Sequence, residues 1–324
     1  MSLFVKHVLL LFLISTSDYS STWGFFSHKK INRMAVFTIP DESLFHFYKF
    51  HIDFISEHAV DPDKRRYAVD GEAEKHYIDI DYYGNEPFKV MPRKWDDAVN
   101  KFSEDTLRAY GISPWNINLM VAKLSQAFRD KNLDRILRYS ADLGHYIGDV
   151  HVPLHTTLNY NGQLTNQKGI HGFWESRVPE LFSEQYDYLV GKAKYIESPL
   201  NKIWDVVEHS FNAVDSVLTF EKQLSTEWSE DRKFSFEKRG MVTMKVYSKE
   251  FSEEYAKRLD GMHNRRMRES IITVGSLWFT AYVNAGQPDL DQLMKPISKT
   301  YKEEIGNLNK KSFSGKIKGR DHGK

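Results

Sequence analysis

The sequence predicts an all-α fold, a single-domain multi-helix bundle. Three observations predict it. Apolar residues recur at helical spacing almost throughout, serine–proline start signals open two of the longest stretches, and alternating strand patterns are nearly absent. No repeat period emerges. At 324 residues the chain can bury a sizeable core.

Each element follows in order. In "MSLFVKHVLLLFLISTSDYSST" a lysine precedes the apolar run Val8–Ile14 and then small polar residues, the layout of a secretory signal peptide over 1–22. The run is too short to span a bilayer. Ser20 and Thr22 suit a cleavage just before Trp23, which would make the protein secreted or periplasmic. The alternative is an uncleaved anchor or an amphipathic first helix.

Helices are expected near 41–57 and 92–110. In "SPWNINLMVAKLSQAFRDK", Ser113 can cap, Pro114 fits the first helical position, and Ile117, Val121, Leu124 and Phe128 form one stripe. Further helices are expected over 132–151, 171–183 and from Ser198–Pro199 onward. "MRESIITVGSLWFTAYVNAGQP" reads as a strongly apolar helix stopped by Gly286 and Pro288. Residues 226–250 lose clear periodicity and read as an ordered excursion or a loop. One domain is expected over 23–290, then an extension over 291–324 that is basic and disordered at its end, frayed from Asn307.

Composition narrows the chemistry. Lys plus Arg is 45 against 44 Asp plus Glu, so net charge argues neither for nor against nucleic acid. The absence of cysteine excludes disulfides, thiolate metal sites and a lipidated amino-terminal cysteine together. Any metal must be held by nitrogen and oxygen donors, which the 13 histidines make feasible.

"HYIGDVHVPLH", residues 145–155, breaks the pattern of its helix, whose buried side turns from Leu137 and Ala141 to His145 and Asp149. Burying ionisable groups without partners costs several kcal/mol, so something must compensate them. His145 and Asp149 are four residues apart and share a helix face, where two donors can grip one ion. Pro153 ends the helix and leaves His155 free to point elsewhere. "HGFWE" gives His171 and Glu175, a second such pair, and upstream lie His76, Asp61, Asp63 and His28. Each piece alone is a weak signal, because isolated motifs match by chance. The ordered set, with its residue types and spacing, is a strong one.

That set, "HYIGDVHVPLH" followed by "HGFWE", resembles the bacterial zinc-dependent phospholipase C family and the related fungal and plant single-strand-specific zinc nucleases. The resemblance covers Trp23 to about Glu175 by motif, and runs to about Gly286 by helical character. It implies an all-helical secreted phosphodiesterase with three zinc ions in a cleft. It further implies that His145 and Asp149 hold one zinc with His76 and an upstream aspartate, and that His155, His171 and Glu175 hold a second. Asp149 would bridge to a third, bound by His28 and by the free α-amine and carbonyl of Trp23. The upstream aspartate is expected at Asp61, fifteen residues before His76, with Asp63 in reserve. Asp61 and Asp149 are then the expected catalytic carboxylates, the first orienting water and the second bridging. Nitrogen and carboxylate donors suit zinc, and the excess positive charge of the ions suits a phosphate diester.

Tyr77 stands where that family has an aromatic residue near the substrate, and reads equally as a core aromatic. Asn161, with Asn159, could donate to a phosphate oxygen or simply build the turn "NYNG". His151 reads as a residue behind the ligands or in solvent. Lys64, Arg65 and Arg66 could attract an anion or form a solvated run. Asp79, Asp81, His46, His51, His58, His209 and His263 read as ordinary.

Glu175, the His155-to-His171 spacing and Tyr146 lean toward a phospholipid substrate, with the membrane surface as its source. The five-residue gap from Trp23 to His28 leans toward single-stranded nucleic acid. No stable protein partner is inferred. A reading of another class is an inactive secreted helical protein that binds zinc in closed sites.

Overall fold

The computed structural model describes residues 24–239 and 242–314. The expected signal peptide, Trp23 and the last ten residues lie outside the described residues. The fold is all-α, with one two-stranded sheet as its β element among the described residues.

Five helices build the larger core: α1 (Gly24–Ala35), α2 (Ser113–Arg129), α3 (Leu133–Val150), α5 (Pro199–Asn212) and α6 (Met262–Asn284). Before α5 comes α4 (Ile170–Phe182), which packs on a second, smaller cluster. The short link Asp130–Asn132 turns α3 back along α2, as an antiparallel pair requires. Asn132 starts α3 by accepting from the Arg135 N–H at 3.1 Å. The expected stripe of Ile117, Val121, Leu124 and Phe128 is buried between these helices and α6.

Start and stop signals hold in most places. Ser198 accepts from Asn201 N at 3.4 Å and opens α5, and Gly286, at φ +84°, ends α6 after Asn284. Ser113 is the exception. It lies inside the helix with its hydroxyl buried, and Ile112 occupies the cap position. The helix start is instead tied to the segment around His76, since Ile112 N donates to Glu74 O and Ser113 N to Tyr77 O.

Two expected helices are each broken in two. Ser103, at φ +68°, divides 92–110 into Trp95–Phe102 and Glu104–Tyr110 and caps the second piece. His51 divides 41–57 into Glu42–Phe50 and Ile52–Glu57, and its ring donates across to Leu293 O at 3.1 Å. The aperiodic 226–250 stretch contains an antiparallel hairpin, β1 (Phe234–Arg239) and β2 (Val242–Tyr247).

The expected extension docks on the body. Leu293 and Tyr301 are buried, and Ser298 N donates to Asp134 Oδ1 at 3.0 Å. Up to Ser314 the stretch expected to fray from Asn307 is helical, as part of Lys299–Ser314, and the rest of the expected disordered end lies outside the described residues. No helix among the described residues is long and apolar enough to cross a membrane.

Two apolar clusters result. The larger lies between α1, α2, α3, α5 and α6, and the smaller gathers Phe173, Trp174, Val217, Leu224, Phe251 and Tyr255. The ionisable residues of α3 and α4 meet where these clusters meet.

Candidate metal centre

The centre begins with two glycines. Gly144 and Gly148 bracket "GHYIG" on α3 and let α1 lie against it. A Cβ at Gly144 would stand 1.8 Å from Asn32 Oδ1, and one at Gly148 would stand 2.8 Å from His28 Nδ1. Asn32 secures the approach by donating to Ala141 O at 3.1 Å and to Ile55 O at 3.2 Å. His28 is thereby pressed onto the face that carries His145, the two imidazoles stacking at 4.0 Å.

His145 and Asp149 project from that face, fully buried, as their spacing predicts. Asp149 is the hub. Its Oδ2 lies 2.9 Å from His76 Nδ1 and 3.3 Å from His145 Nε2; its Oδ1 lies 3.3 Å from His28 Nε2 and 4.0 Å from His155 Nε2. Glu175 forms a second focus, 2.7 Å from His171 Nε2, 3.5 Å from His155 Nε2 and 3.8 Å from His28 Nε2. Three groups can each hold a metal ion: His28–His145–Asp149, Asp63–His76–His145 and His155–His171–Glu175. His145 belongs to two of them.

The upstream aspartate differs from the expectation. Asp61 turns away, receiving His58 Nδ1 at 2.7 Å and Lys64 Nζ at 2.8 Å. Asp63 faces the centre instead, 3.8 Å from both His76 Nδ1 and His145 Nε2. On the short helix Asp61–Arg65, residues two apart point to different sides, so only one can face inward. Spacing in the sequence does not say which.

The helix is fixed by a buried ionic network that sequence reading missed. Arg65 donates to Glu72 Oε1 at 3.2 Å and to Asp142 Oδ1 at 3.1 Å, and Tyr146 OH donates to Glu72. Arg65 is therefore no anion attractor, and Lys64 is spent on Asp61. Arg66 is buried and lies 3.7 Å from Asp63. The signal for this network is Asp142, which follows Arg138 by four residues and precedes Tyr146 by four on α3.

The imidazoles are oriented by backbone carbonyls. His145 donates Nδ1–H to Ala59 O at 2.8 Å, His155 to His76 O at 2.6 Å and His171 to Tyr160 O at 3.1 Å. A carbonyl only accepts, so each Nδ1 carries a proton and each ring turns its Nε2 toward Asp149, Asp63 or Glu175. An Nε2 facing a carboxylate calls for positive charge between them, a proton or a metal ion. Carbonyls holding Nδ1–H are the usual outer partners of metal-ligating histidines. The residues present therefore fit a metal ion.

Electrostatics agree. Burial works to raise Asp149 and Glu175, but the imidazoles around them outweigh it and hold both far below the usual carboxylate range. Burial works to lower His145, yet Asp149 and Asp63 push it up to about 9. His76 is pushed down, chiefly by burial. A centre that keeps its carboxylates charged and draws a proton onto one imidazole favours cations.

The remaining expected residues have settled positions. Tyr77 is buried, its ring against Gly111. Asn161 Oδ1 accepts from Gly169 N at 2.9 Å and His171 N at 3.3 Å, so it builds the loop that presents His171. Asn159 closes the same loop on Leu164 and Thr165. Asp81, expected to be ordinary, anchors the loop's start by accepting from Leu158 N at 2.9 Å and Thr157 Oγ1 at 2.7 Å. His151 is buried and bonds Ile147 O, away from the ligands. His263 is buried against Trp174. Trp23 lies outside the described residues. No protein-family model matches the chain, and no curated protein matches it.

Proposed function

We propose that the protein is a zinc-dependent phosphodiesterase, phospholipase C-like, which cleaves a phospholipid into diacylglycerol and a phosphorylated head group. The observation that carries this reading is the set of imidazoles whose Nδ1 atoms are held by backbone carbonyls and whose Nε2 atoms converge on Asp149 and Glu175. Such nitrogen and carboxylate donors suit zinc, and the three neighbouring groups, two of which share His145, support a centre of more than one ion.

His76, His145, Asp149 and Asp63 would hold one ion, and His155, His171 and Glu175 a second. His28 with Asp149 would hold the third, completed by the amine and carbonyl of Trp23 once a leader is removed. Gly24 supports that last assignment, since a Cβ there would lie 3.2 Å from Glu175 Oε1, which puts the start of α1 beside the cluster. Zinc so held supplies Lewis acidity toward water and toward a phosphoryl oxygen. Asp63, the most exposed of the carboxylates at 25 % of its side chain, is the group with room to take a proton from water. Asp149 ties two ligand groups together and fixes their separation. His28, His145 and Asp149 exclude solvent from the floor, where charge interactions are strengthened.

A second reading, a single-strand nuclease with the same ions, is favoured by the short spacing from Trp23 to His28. The deciding experiment assays the zinc-loaded protein side by side on phosphatidylcholine and single-stranded DNA. Diacylglycerol release without nucleotide release supports the first reading. Nucleotide release alone replaces it with the second, and neither product, with zinc bound, leaves an inactive zinc-binding protein.

A further inference from the structure

The β1–β2 hairpin turns apolar side chains into solvent. Phe236 is 75 % exposed, Val242 60 % and Met244 48 %. Cross-strand partners share a face, and the register pairs Phe236 with Lys245, Lys238 with Thr243 and Glu237 with Met244. Phe236 thus shares a face with Lys238 and Lys245, while Val242 and Met244 lie on the other. A groove on a protein partner would cover one face of a hairpin. Apolar side chains on both faces fit a medium that surrounds it.

Charge selects that medium further. The hairpin sequence carries Lys238, Arg239 and Lys245 against Glu237. Glu237 is already held, accepting from the Arg177 guanidinium at 3.1 Å. Lys245 reaches the exposed Glu230 at 3.4 Å, and the charge that remains on the hairpin is positive and suits anionic head groups.

Position links the hairpin to the centre. Arg177, two residues after Glu175 on α4, also donates to Tyr247 O at 3.1 Å, and the Phe173 ring stacks on Tyr247 at 3.8 Å. The hairpin therefore rises from the helix that carries His171 and Glu175.

We propose that this hairpin docks the protein on an anionic phospholipid surface, with Phe236, Val242 and Met244 entering the acyl boundary and Lys238 and Lys245 at the head groups. The inference deepens the phospholipid reading and rests on it for its purpose, but surface binding and turnover are separable measurements.

The test is sedimentation of the full chain with vesicles of phosphatidylcholine and phosphatidylglycerol, compared with phosphatidylcholine alone. Wild type should partition onto the anionic vesicles more strongly. The combined change Phe236→Ser, Val242→Ser and Met244→Ser should weaken partitioning at least about tenfold. Lys238→Ser should weaken it about fivefold on anionic vesicles and not on neutral ones. All variants should keep the wild-type circular dichroism and the wild-type turnover of monomeric dihexanoyl phosphatidylcholine. Docking is overturned if wild type stays in the supernatant, or if the triple variant sediments as wild type does. It is equally overturned if the triple change alters only the oligomeric mass, which would make the hairpin a self-association surface. Vesicle binding that follows these expectations without cleavage of any phospholipid upholds docking and removes the phospholipase reading alone.

Discussion

His145 and Asp149 sit on a regular helix inside the larger core, whereas His171 and Glu175 sit on α4, whose middle, Phe173–Arg177, is π-helical and rests on the smaller aromatic cluster. The first pair is backed by buried charge, with Arg65, Glu72 and Asp142 locking the Asp63–His76 segment to α3. The second is backed by rings and a loop: Trp174 stacks on His263 at 4.4 Å, and Asn161 holds the backbone of His171. One half of the centre is pre-set by close helix packing, and the other by a locally distorted helix of the kind that recurs at functional sites. The difference teaches that a shared set of ligand types can be held by unlike means. Each half should therefore fail in its own way.

The largest contrast is between Asp149→Asn and Glu175→Gln. Asp149 lies within 3.3 Å of His28, His76 and His145, while Glu175 lies within 3.5 Å of His155 and His171 and reaches His28 only at 3.8 Å. Asp149→Asn should lose more than one ion per chain and lower turnover on the order of 10³-fold, the upper range for removing one electrostatic element of a catalytic site. Glu175→Gln should lose one ion and keep the rest, as measured by elemental analysis of dialysed protein. Equal metal loss from both would break the distinction between hub and focus.

Next comes the packing of α1. Gly144→Ala places a Cβ 1.8 Å from Asn32 Oδ1, an overlap that backbone or side chain must relieve. The expected cost is about 1–3 kcal/mol in urea unfolding, with loss of the ion assigned to His28 while His171 and Glu175 keep theirs. A variant as stable and metal-replete as wild type would contradict the close-approach role. A smaller effect separates the two aspartates. Asp63→Asn should reduce turnover about 10²-fold with little change in stability, as for loss of a proton acceptor. Asp61→Asn should spare turnover and cost about 1 kcal/mol through its bonds to His58 and Lys64.

These expectations show what the sequence makes legible. His145 and Asp149 were readable because a regular helix converts a spacing of four into one face, and because an ionisable pair interrupts an apolar stripe. His171 and Glu175 also sit four apart, yet the helix around Glu175 is π-helical, so the spacing alone would not have fixed the geometry. Asp61 and Asp63 were not separable, since a five-residue helix has no periodicity to read and its facing is set by the distant Arg65–Asp142 contact. Gly148 lies within the motif and Gly144 just before it, and the spacing marks a role for neither, because a close approach is visible only once α1 is in place. The hairpin escaped strand reading for a related reason: with both faces exposed, no alternation of apolar and polar residues is imposed on it.

The finest test of the two halves is their response to acid. His263 Nε2–H donates to Trp174 O at 3.0 Å, and burial lowers its imidazole to about 3 despite that bond. An imidazole lowered in the fold stays neutral there while the unfolded chain takes up a proton below about 6.5. Its contribution is therefore complete above 6.5 and is lost as pH falls toward 3, at about 1.4 kcal/mol per pH unit. Glu72, behind the other half, behaves differently. Burial works to raise it, but Arg65, His76 and Lys75 outweigh that and hold it at about 2. Its support is complete above its ordinary value near 4.5 and is lost as pH falls toward 2. Between pH 6.5 and 4.5, then, the backing of Glu175 weakens through His263 while the Arg65–Glu72 network stays charged. His263→Gln, which keeps a donor for Trp174 O and does not titrate, should flatten the fall in urea midpoint across that window, and Glu72→Gln should leave the slope there unchanged. If both variants track wild type over pH 6.5 to 4.5, the backing of Glu175 does not depend on a neutral His263, and the difference between the two backings is one of shape alone.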